Sequence, residues 1–234
     1  MLWTVTATTL REMPRRRAAL GFAFLLPLVF YASRINVQWQ AIRFMAIGVG
    51  WAMATLSFFS SVSSRRLDRR LSALGASPTA LLAGRQMATT AIGLVVAAVY
   101  SGLLLATQDL TRPFFAVLLL ATTVLISVPL GGLVSMVISR ELEGALALLS
   151  IMALQLLVDP SDAWAKALPL WSTRELTSVA IGVEGAGDAT GGILHFTATM
   201  GICLLLAWTA NAVRLRPVLI PPPSPDPPAL GSVE

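Results

Sequence analysis

Six stretches of this chain are apolar, free of charged residues, and long enough or nearly long enough to cross the hydrocarbon core of a membrane. They cover residues 18–32, 44–62, 87–107, 113–138, 144–158 and 196–213. Only 12% of the residues are charged, against roughly a quarter in a soluble domain. The pattern therefore predicts an all-α membrane protein with six transmembrane helices.

Two of these stretches, residues 18–32 and 144–158, are shorter than the roughly 20 residues that a full crossing needs. We expect each to borrow flanking residues or to span only part of the membrane. The first could instead be a cleaved secretory signal, because Arg15, Arg16 and Arg17 precede it. Its end, Tyr31-Ala-Ser-Arg34, is however a poor cleavage site.

The basic residues are distributed unequally between the two sides of the six predicted spans. One side holds Arg11, Arg15, Arg16, Arg17, Arg65, Arg66, Arg69, Arg70, Arg85, Arg140, Arg214 and Arg216; the other holds Arg34, Arg43, Arg112, Lys166 and Arg174. Cytoplasmic loops carry the excess of lysine and arginine. We therefore predict that both termini are cytoplasmic.

The sequence lacks the residues that several classes of function require. A single cysteine, Cys203, and a single histidine, His195, cannot form a disulfide or a usual zinc site. The only lysine, Lys166, lies between two alanines, so there is no P-loop for ATP. Basic stripes with interleaved aromatics are missing, which argues against nucleic acid as a partner. The predicted spans contain no ionisable residue of the kind that couples secondary transport, so energy for any transport would come from a partner.

Residues 2–13 predict an interfacial amphipathic helix before the first span. Leu2, Trp3, Val5, Leu10 and Met13 project onto one side of it, together with two threonines. Pro14 would then turn the chain into the membrane, which makes this segment an elbow. A frayed terminus is the alternative.

The cytoplasmic segment 64–86 contains leucines at helical spacing. Leu67, Leu71 and Leu74 fall on one face, which predicts a docking helix. The rest of its surface carries Arg65, Arg66, Arg69 and Arg70. The alternative is a loop whose arginines only set topology.

Residues that typically end and begin helices favour the docking helix over an irregular loop. Gly75 is placed as a left-handed helix stop, and Ser77 as the N-cap of a new helix whose first residue is Pro78. Within the first helix, Asp68 is expected to pair with Arg65 three residues earlier. Helix, turn and capped helix make a folded cytoplasmic protrusion.

The outer segment between the fifth and sixth spans, residues 159–195, predicts two short helices. The first lies around 162–168, and a capping box at 172–175 opens the second, which ends near Gly182. We expect them to be re-entrant half-helices, with an exposed loop as the alternative. The proline-rich tail, residues 217–234, is expected to be disordered in the cytoplasm, after a six-span domain of residues 1–216.

A few hydroxyl side chains in the predicted spans are candidates for a polar substrate path. They are Thr55, Thr89, Thr122, Thr123, Ser127 and Ser135. Such side chains also hydrogen-bond commonly within and between membrane helices, which is the alternative interpretation.

Together these features resemble the permease subunits of type-2 ATP-binding cassette (ABC) exporters. The resemblance covers residues 1–216 and is strongest in the segment after the second span, which matches the family's leucine-rich helix, small-residue turn, proline and basic residue. The matching positions are Leu71, Leu74, Gly75, Ser77, Pro78, Leu81, Leu82, Gly84 and Arg85. A loop after the fourth span, residues 139–143, resembles the family's second cytoplasmic contact.

The resemblance implies a subunit that is not itself an enzyme and needs no cofactor of its own. ATP and Mg²⁺ would bind a separate ATPase subunit, two permease subunits would flank the substrate path, and the complex would sit in the inner or plasma membrane among its lipids. The substrate would be amphipathic, lipid-like or drug-like. The implied ATPase-coupling residues are Arg65, Arg66, Leu67, Asp68, Arg69, Arg70, Leu71, Leu74, Gly75, Ser77, Pro78, Arg140, Glu141 and Glu143.

Three alternatives to this function stay open. One is a haem-exporter-like permease of cytochrome maturation, and another is a structural subunit of a larger membrane complex. The third is an intramembrane serine protease that uses His195 as its base. The only Gly-x-Ser sequence, Gly75-Ala-Ser77, lies on the opposite predicted side from His195, which argues against the protease.

Overall fold

The computed structural model describes residues 1–15, 17–158, 162–183 and 187–215, and these residues form an all-helical bundle without strands. Its α-helices are α1 (Leu2–Glu12), α2 (Arg17–Ser33), α3 (Gln38–Ser63), α4 (Arg65–Ala73), α5 (Pro78–Thr107), α6 (Pro113–Val137), α7 (Glu141–Leu157), α8 (Trp171–Ile181) and α9 (Ala189–Arg214). Short 3₁₀ helices cover Met13–Arg15 and Ala163–Ala167. The predicted tail, residues 217–234, lies outside the described residues.

Helices α3 and α6 form the centre of the bundle, and small residues let them approach closely. A Cβ atom added at Gly131 of α6 would collide with the backbone carbonyl of Ala54 in α3. Nearby, Ser57 of α3 donates a hydrogen bond of 2.7 Å to the Val128 carbonyl of α6. Inside a membrane the hydrophobic effect does not drive helices together, because lipid tails are as apolar as the side chains. Helices associate there through close backbone contact at small residues.

The other helices pack around this pair. Helix α2 contacts α3 where Gly48 faces the backbone of Pro27, and α5 contacts α6 where Gly93 faces Val124. Helices α7 and α8 also pack on α3, and α8 and α9 pack on α6. The end of the bundle where α3 ends and α5 begins is called the α4 end, and the opposite end is called the α8 end.

Within the described part of the chain, four helices are long and apolar enough to cross a membrane: α3, α5, α6 and α9. The pair α1 and α2, bent by 82°, would be a fifth crossing if it is counted as one span. Helix α7, with 17 residues, falls short, as the length of the predicted span 144–158 had indicated. These apolar helices indicate a multi-pass membrane protein.

Helix α1 agrees with the predicted elbow in extent, and the two threonines of its predicted face are buried, although not every apolar residue of that face is. Thr6 and Thr9 are its buried residues, whereas Trp3 is 73% exposed. The cause is a close contact with α5, where a Cβ atom at Gly84 would lie 2.8 Å from Val5. The short threonine side chains permit that approach, and the larger apolar residues lie beside it.

Helix α8 exists as predicted, but its predicted capping box is wrong. The helix begins at Trp171, so Ser172 lies within it and its hydroxyl caps nothing. The predicted stop is confirmed, since Gly182 adopts the left-handed conformation with φ of 71°. Most of α8 is buried against α3, α6 and α9, which excludes the exposed loop.

Candidate functional site

The candidate site is built around α4, whose ends follow the local sequence signals. Gly75, with φ of 92°, ends the helix, and the Ala76 amide donates back to the Leu71 carbonyl at 2.9 Å. The next helix starts two residues later, where the Ser77 hydroxyl accepts a hydrogen bond of 3.1 Å from the Ala80 amide. Pro78 occupies the first helical position. The predicted stop, cap and restart are therefore confirmed.

The inward face of α4 carries a buried ion pair with α5. Asp68 pairs with Arg85, and their side chains are only 6% and 12% exposed. Burial raises the pKa of the Asp68 carboxyl, and the positive charge of Arg85 acts in the opposite direction. The predicted pairing of Asp68 with Arg65 is wrong, because Asp68 is directed at α5 rather than along its own helix.

Arg65 instead connects α4 to the end of α6. Its guanidinium donates hydrogen bonds to the carbonyls of Ser135 and Ile138, the second at 3.1 Å. These carbonyls belong to the last turn of α6 and the residue after it, where helical carbonyls lack partners within the helix. Burial, aided by the like charge of Arg69, lowers the pKa of Arg65.

The end of α9 is tied to the same junction. The Ser72 hydroxyl of α4 donates to the Leu215 carbonyl at 3.2 Å, and the Asn211 amide donates to the Pro78 carbonyl at 2.9 Å. Leu215 also packs with Ala76 and Leu81 in a small apolar core. Helix α4 is thus held by α5, α6 and α9 at once.

The outward face of α4 is exposed. Leu67 is 49% exposed and Leu74 81%, and these leucines are accompanied by the exposed arginines Arg66, Arg69 and Arg70. Leu71 lies on the same side of the helix but is half-buried, because it packs against the apolar core around Leu81. The predicted surface of three leucines is therefore reduced to two.

The second predicted contact segment lies close to the first. Arg65 reaches the Ile138 carbonyl, directly before the loop that contains Arg140 and the first turn of α7. Arg140 and Glu143 form an exposed ion pair of 2.8 Å, and Glu141 is exposed beside them. The structure therefore brings both predicted cytoplasmic contacts to the α4 end.

The predicted substrate-path residues are separated by the structure. The hydroxyls of Thr89, Thr122, Thr123 and Ser135 each donate to a carbonyl of their own helix. Ser127 is fully buried in the contact between α3 and α6. For these five side chains the structure supports hydrogen bonding and packing within the bundle.

Thr55 is the exception. Its hydroxyl is buried without a partner among the described residues, as that of Ser127 also is, but Thr55 alone of the six borders a cavity of about 360 Å³ between α2, α3 and α7. The other walls are mostly apolar and aromatic, including Phe22, Trp51, Leu56 and Phe59. Such a lining suits an apolar or amphipathic molecule.

Sequence reasoning did not predict that Arg85 forms the ion pair with Asp68. It also did not predict that Arg214 lies beside this pair. Both arginines lie inside long apolar helices, seven residues after the start of α5 and at the last residue of α9. A charge in such a position needs a partner, which was the available signal.

His195 lies at the α8 end, far from the α4 end where Ser77 caps α5. Its Nε2 lies 3.0 Å from the Lys166 carbonyl oxygen, and its ring lies 5.1 Å from that of Trp171. Ser77 and His195 therefore form no catalytic pair.

A comparison of the whole chain with protein-family models and with curated proteins finds no match. The geometry of the α4 junction is therefore what supports a function for this chain.

Proposed function

We propose that the chain is the membrane-spanning permease subunit of a type-2 ABC exporter. In this proposal α2 and α7 join the four long helices to give six crossings, and the α4 end with both termini faces the cytoplasm. A separate ATPase subunit hydrolyses ATP, and a second permease subunit, identical or related, completes the transporter. Twelve of the seventeen basic residues fall on the side assigned to the cytoplasm, in keeping with this orientation.

The observation that carries the proposal is the two-sided character of α4. One face is fixed to α5, α6 and α9 by the Asp68–Arg85 pair, the Arg65 hydrogen bonds and the Ser72 hydrogen bond. The other face exposes Leu67 and Leu74 among arginines. A loop that only sets topology requires positive charge and nothing more, whereas a surface that receives force from a partner must be stiff and must offer apolar contacts.

The loop before α7 and the first turn of α7 extend this surface. Leu142 is 74% exposed and follows Arg140 at the α4 end of the bundle. An ATPase subunit that contacts α4 would therefore meet a second short segment beside it. Two contact points restrain the orientation of a partner better than one.

The cavity beside Thr55 supports the proposed substrate class. It lies among α2, α3 and α7 and has mainly apolar walls with one buried hydroxyl. An amphipathic, lipid-like or drug-like molecule matches that lining, whereas a highly charged solute would lose its hydration there without compensation.

The test is to replace Leu67 and Leu74 together by aspartate. The chain should still insert and stay folded, because both side chains are exposed, but the ATPase should no longer co-purify or its turnover should be uncoupled from transport, since an apolar contact would now bury carboxylates. The matched control is Thr8→Asp, which adds a carboxylate at an exposed position of α1 at the same end. Leu71→Asp should instead destabilise the chain itself.

A different result is expected if α4 does not dock an ATPase. If the segment only sets topology, Arg66→Gln with Arg70→Gln should disturb orientation while the leucine variant assembles and transports normally. Coupled transport at the wild-type rate by the leucine variant would rule out the docking role. Transport by the reconstituted complex also separates a permease from a structural subunit without transport activity.

A further inference from the structure

Where α9 ends beside α4 and α5, four arginines and one aspartate come together, and the aspartate is paired with one of the arginines. The arginines are Arg65, Arg69, Arg85 and Arg214, and the acid is Asp68; this set is called the arginine cluster. Arg214 lies within electrostatic range of the other four side chains. With one negative charge against four positive ones, the formal charge of the cluster is +3. Arg69 lies at the exposed edge of the cluster, whereas Arg65, Arg85 and Arg214 are partly buried. Like charges gathered in a partly buried place are unfavourable unless an anion joins them.

The hydrogen-bond donors of the cluster are also incompletely used. Buried without a partner among the described residues are Nε and Nη1 of Arg214, Nε of Arg65 and Nε of Arg85. The remaining recorded bond of Arg214, to Asn211, is long at 3.4 Å. Guanidinium groups present planar forks of N–H donors that match the oxygens of a phosphate. The cluster therefore suits an anion with several acceptor oxygens.

The surroundings of Arg214 indicate where that anion comes from. The preceding turns of α9 present an exposed apolar stripe, in which Leu205 is 59% and Val213 61% exposed. Trp208, in the same stripe, donates its indole N–H to the Thr79 hydroxyl at 3.0 Å. Tryptophan with its N–H directed to polar groups is typical of the boundary between hydrocarbon and headgroups. Arg214 thus lies directly beyond a surface suited to acyl chains, where a lipid phosphate would be expected if Trp208 marks the boundary of the hydrocarbon.

We propose that the arginine cluster binds the phosphate of an anionic phospholipid in the leaflet at the α4 end, with Arg214 as the principal contact. The acyl chains lie along the exposed stripe of α9. A carboxylate of a soluble partner fits less well, because it would have to approach along this apolar stripe. The site requires only that the bundle lies in a membrane, and it does not depend on coupling to an ATPase.

The experiment uses the full chain in nanodiscs that contain phosphatidylcholine with or without phosphatidylglycerol, and detects retained lipid by native mass spectrometry after transfer to detergent. The wild-type chain should retain phosphatidylglycerol in preference to phosphatidylcholine. Arg214→Gln should reduce that preference about fivefold, the amount expected for one arginine at an anionic membrane surface. Arg66→Gln is the matched control, because it removes the same charge from an exposed position on the outward side of α4. It should leave the preference unchanged.

Thermal stability in detergent supplies the second measurement. Added phosphatidylglycerol should stabilise the wild-type chain and the Arg66→Gln variant, and should have much less effect on Arg214→Gln. Equal retention of both lipids, or equal losses in the two variants, would overturn the site. Stabilisation by inorganic phosphate alone to the same degree would overturn its assignment to a lipid.

Discussion

Replacing Arg85 by methionine tests how far one buried ion pair holds α4 on the bundle. Asp68 and Arg85 are nearly removed from water, so solvent and salt screen their interaction little. Methionine keeps the unbranched apolar stem of arginine and removes the guanidinium. The principal change is therefore that Asp68 loses its counterion.

The cost of this change has an upper limit that can be worked out. Without Arg85, burial raises the pKa of Asp68 further, and the folded chain can protonate the carboxyl rather than keep a bare charge. Protonating at pH 7 a carboxyl group of ordinary pKa 3.8 costs about 4 kcal/mol, at about 1.4 kcal/mol per pH unit. Arg214 still attracts the carboxylate and reduces the loss. We expect Arg85→Met to destabilise the chain by about 3 kcal/mol, near the lower end of values for broken buried pairs.

The assay heats the purified chain to a series of temperatures and then measures the monodisperse peak by size-exclusion chromatography. The quantity compared is the temperature at which half of that peak is lost. A loss of about 3 kcal/mol corresponds to a decrease on the order of 10 °C for a chain of this size. In the variant, the pKa of Asp68 is higher in the folded than in the unfolded state. The folded state therefore binds more protons between those two values, and stability should fall as pH rises through that interval.

Two further variants make the charge argument refutable. Asp68→Asn added to Arg85→Met removes the uncompensated carboxylate, so most of the lost stability should return and its pH dependence should disappear. Arg140→Met removes an arginine that is 80% exposed, and should change stability little. A loss that is the same with and without Asp68→Asn would show that packing, not charge, explains the effect of Arg85→Met.

Two other predictions concern topology and packing. Cysteines introduced at Gly75 and at Val183, in a background without the native cysteine, should be labelled from opposite sides of intact cells; labelling from the same side would contradict the proposed orientation. Gly131→Ala should destabilise the bundle by about 1–3 kcal/mol, because its Cβ meets the Ala54 carbonyl. Gly102→Ala, which has open space around it, should instead stabilise α5 by up to about 1 kcal/mol, as thermal unfolding of both variants would show.

The parts of the site that were predicted from sequence are those determined by neighbouring residues. Gly75, Ser77 and Pro78 end one helix and begin the next through local backbone geometry, so their roles could be read directly. The positions of long apolar helices were likewise predictable from the distribution of charge. Length alone did not decide whether the two shortest stretches cross the membrane. In the structure each lies in a helix of 17 residues.

The incorrect predictions concern contacts between distant elements. A helical wheel placed Leu71 with Leu67 and Leu74, but it could not show that contact with the apolar core around Leu81 of α5 leaves Leu71 less exposed than the other two. The i,i+3 rule assigned Asp68 to Arg65. Asp68 instead lies on the buried face of α4, where its carboxylate pairs with Arg85, which is also nearly buried. Spacing rules describe one helix in isolation, and cannot include the neighbour that decides which face is buried.

The geometry of α5 explains how a push on α4 could reach the other side of the membrane. Helix α5 runs without interruption through 30 residues, a length of about 45 Å at about 1.5 Å per residue. At its far end the Thr107 hydroxyl lies 2.6 Å from the Tyr31 hydroxyl of α2, which in turn accepts from Gln108 at 2.7 Å. Because the Gly75 turn and the Asp68–Arg85 pair fix α4 to the beginning of this rod, displacement of α4 cannot be absorbed locally and must move α5. In the proposed exporter the same displacement would act on α2, one wall of the cavity beside Thr55, and Arg85→Met, which loosens the pair, should then uncouple ATP turnover from transport before it prevents assembly.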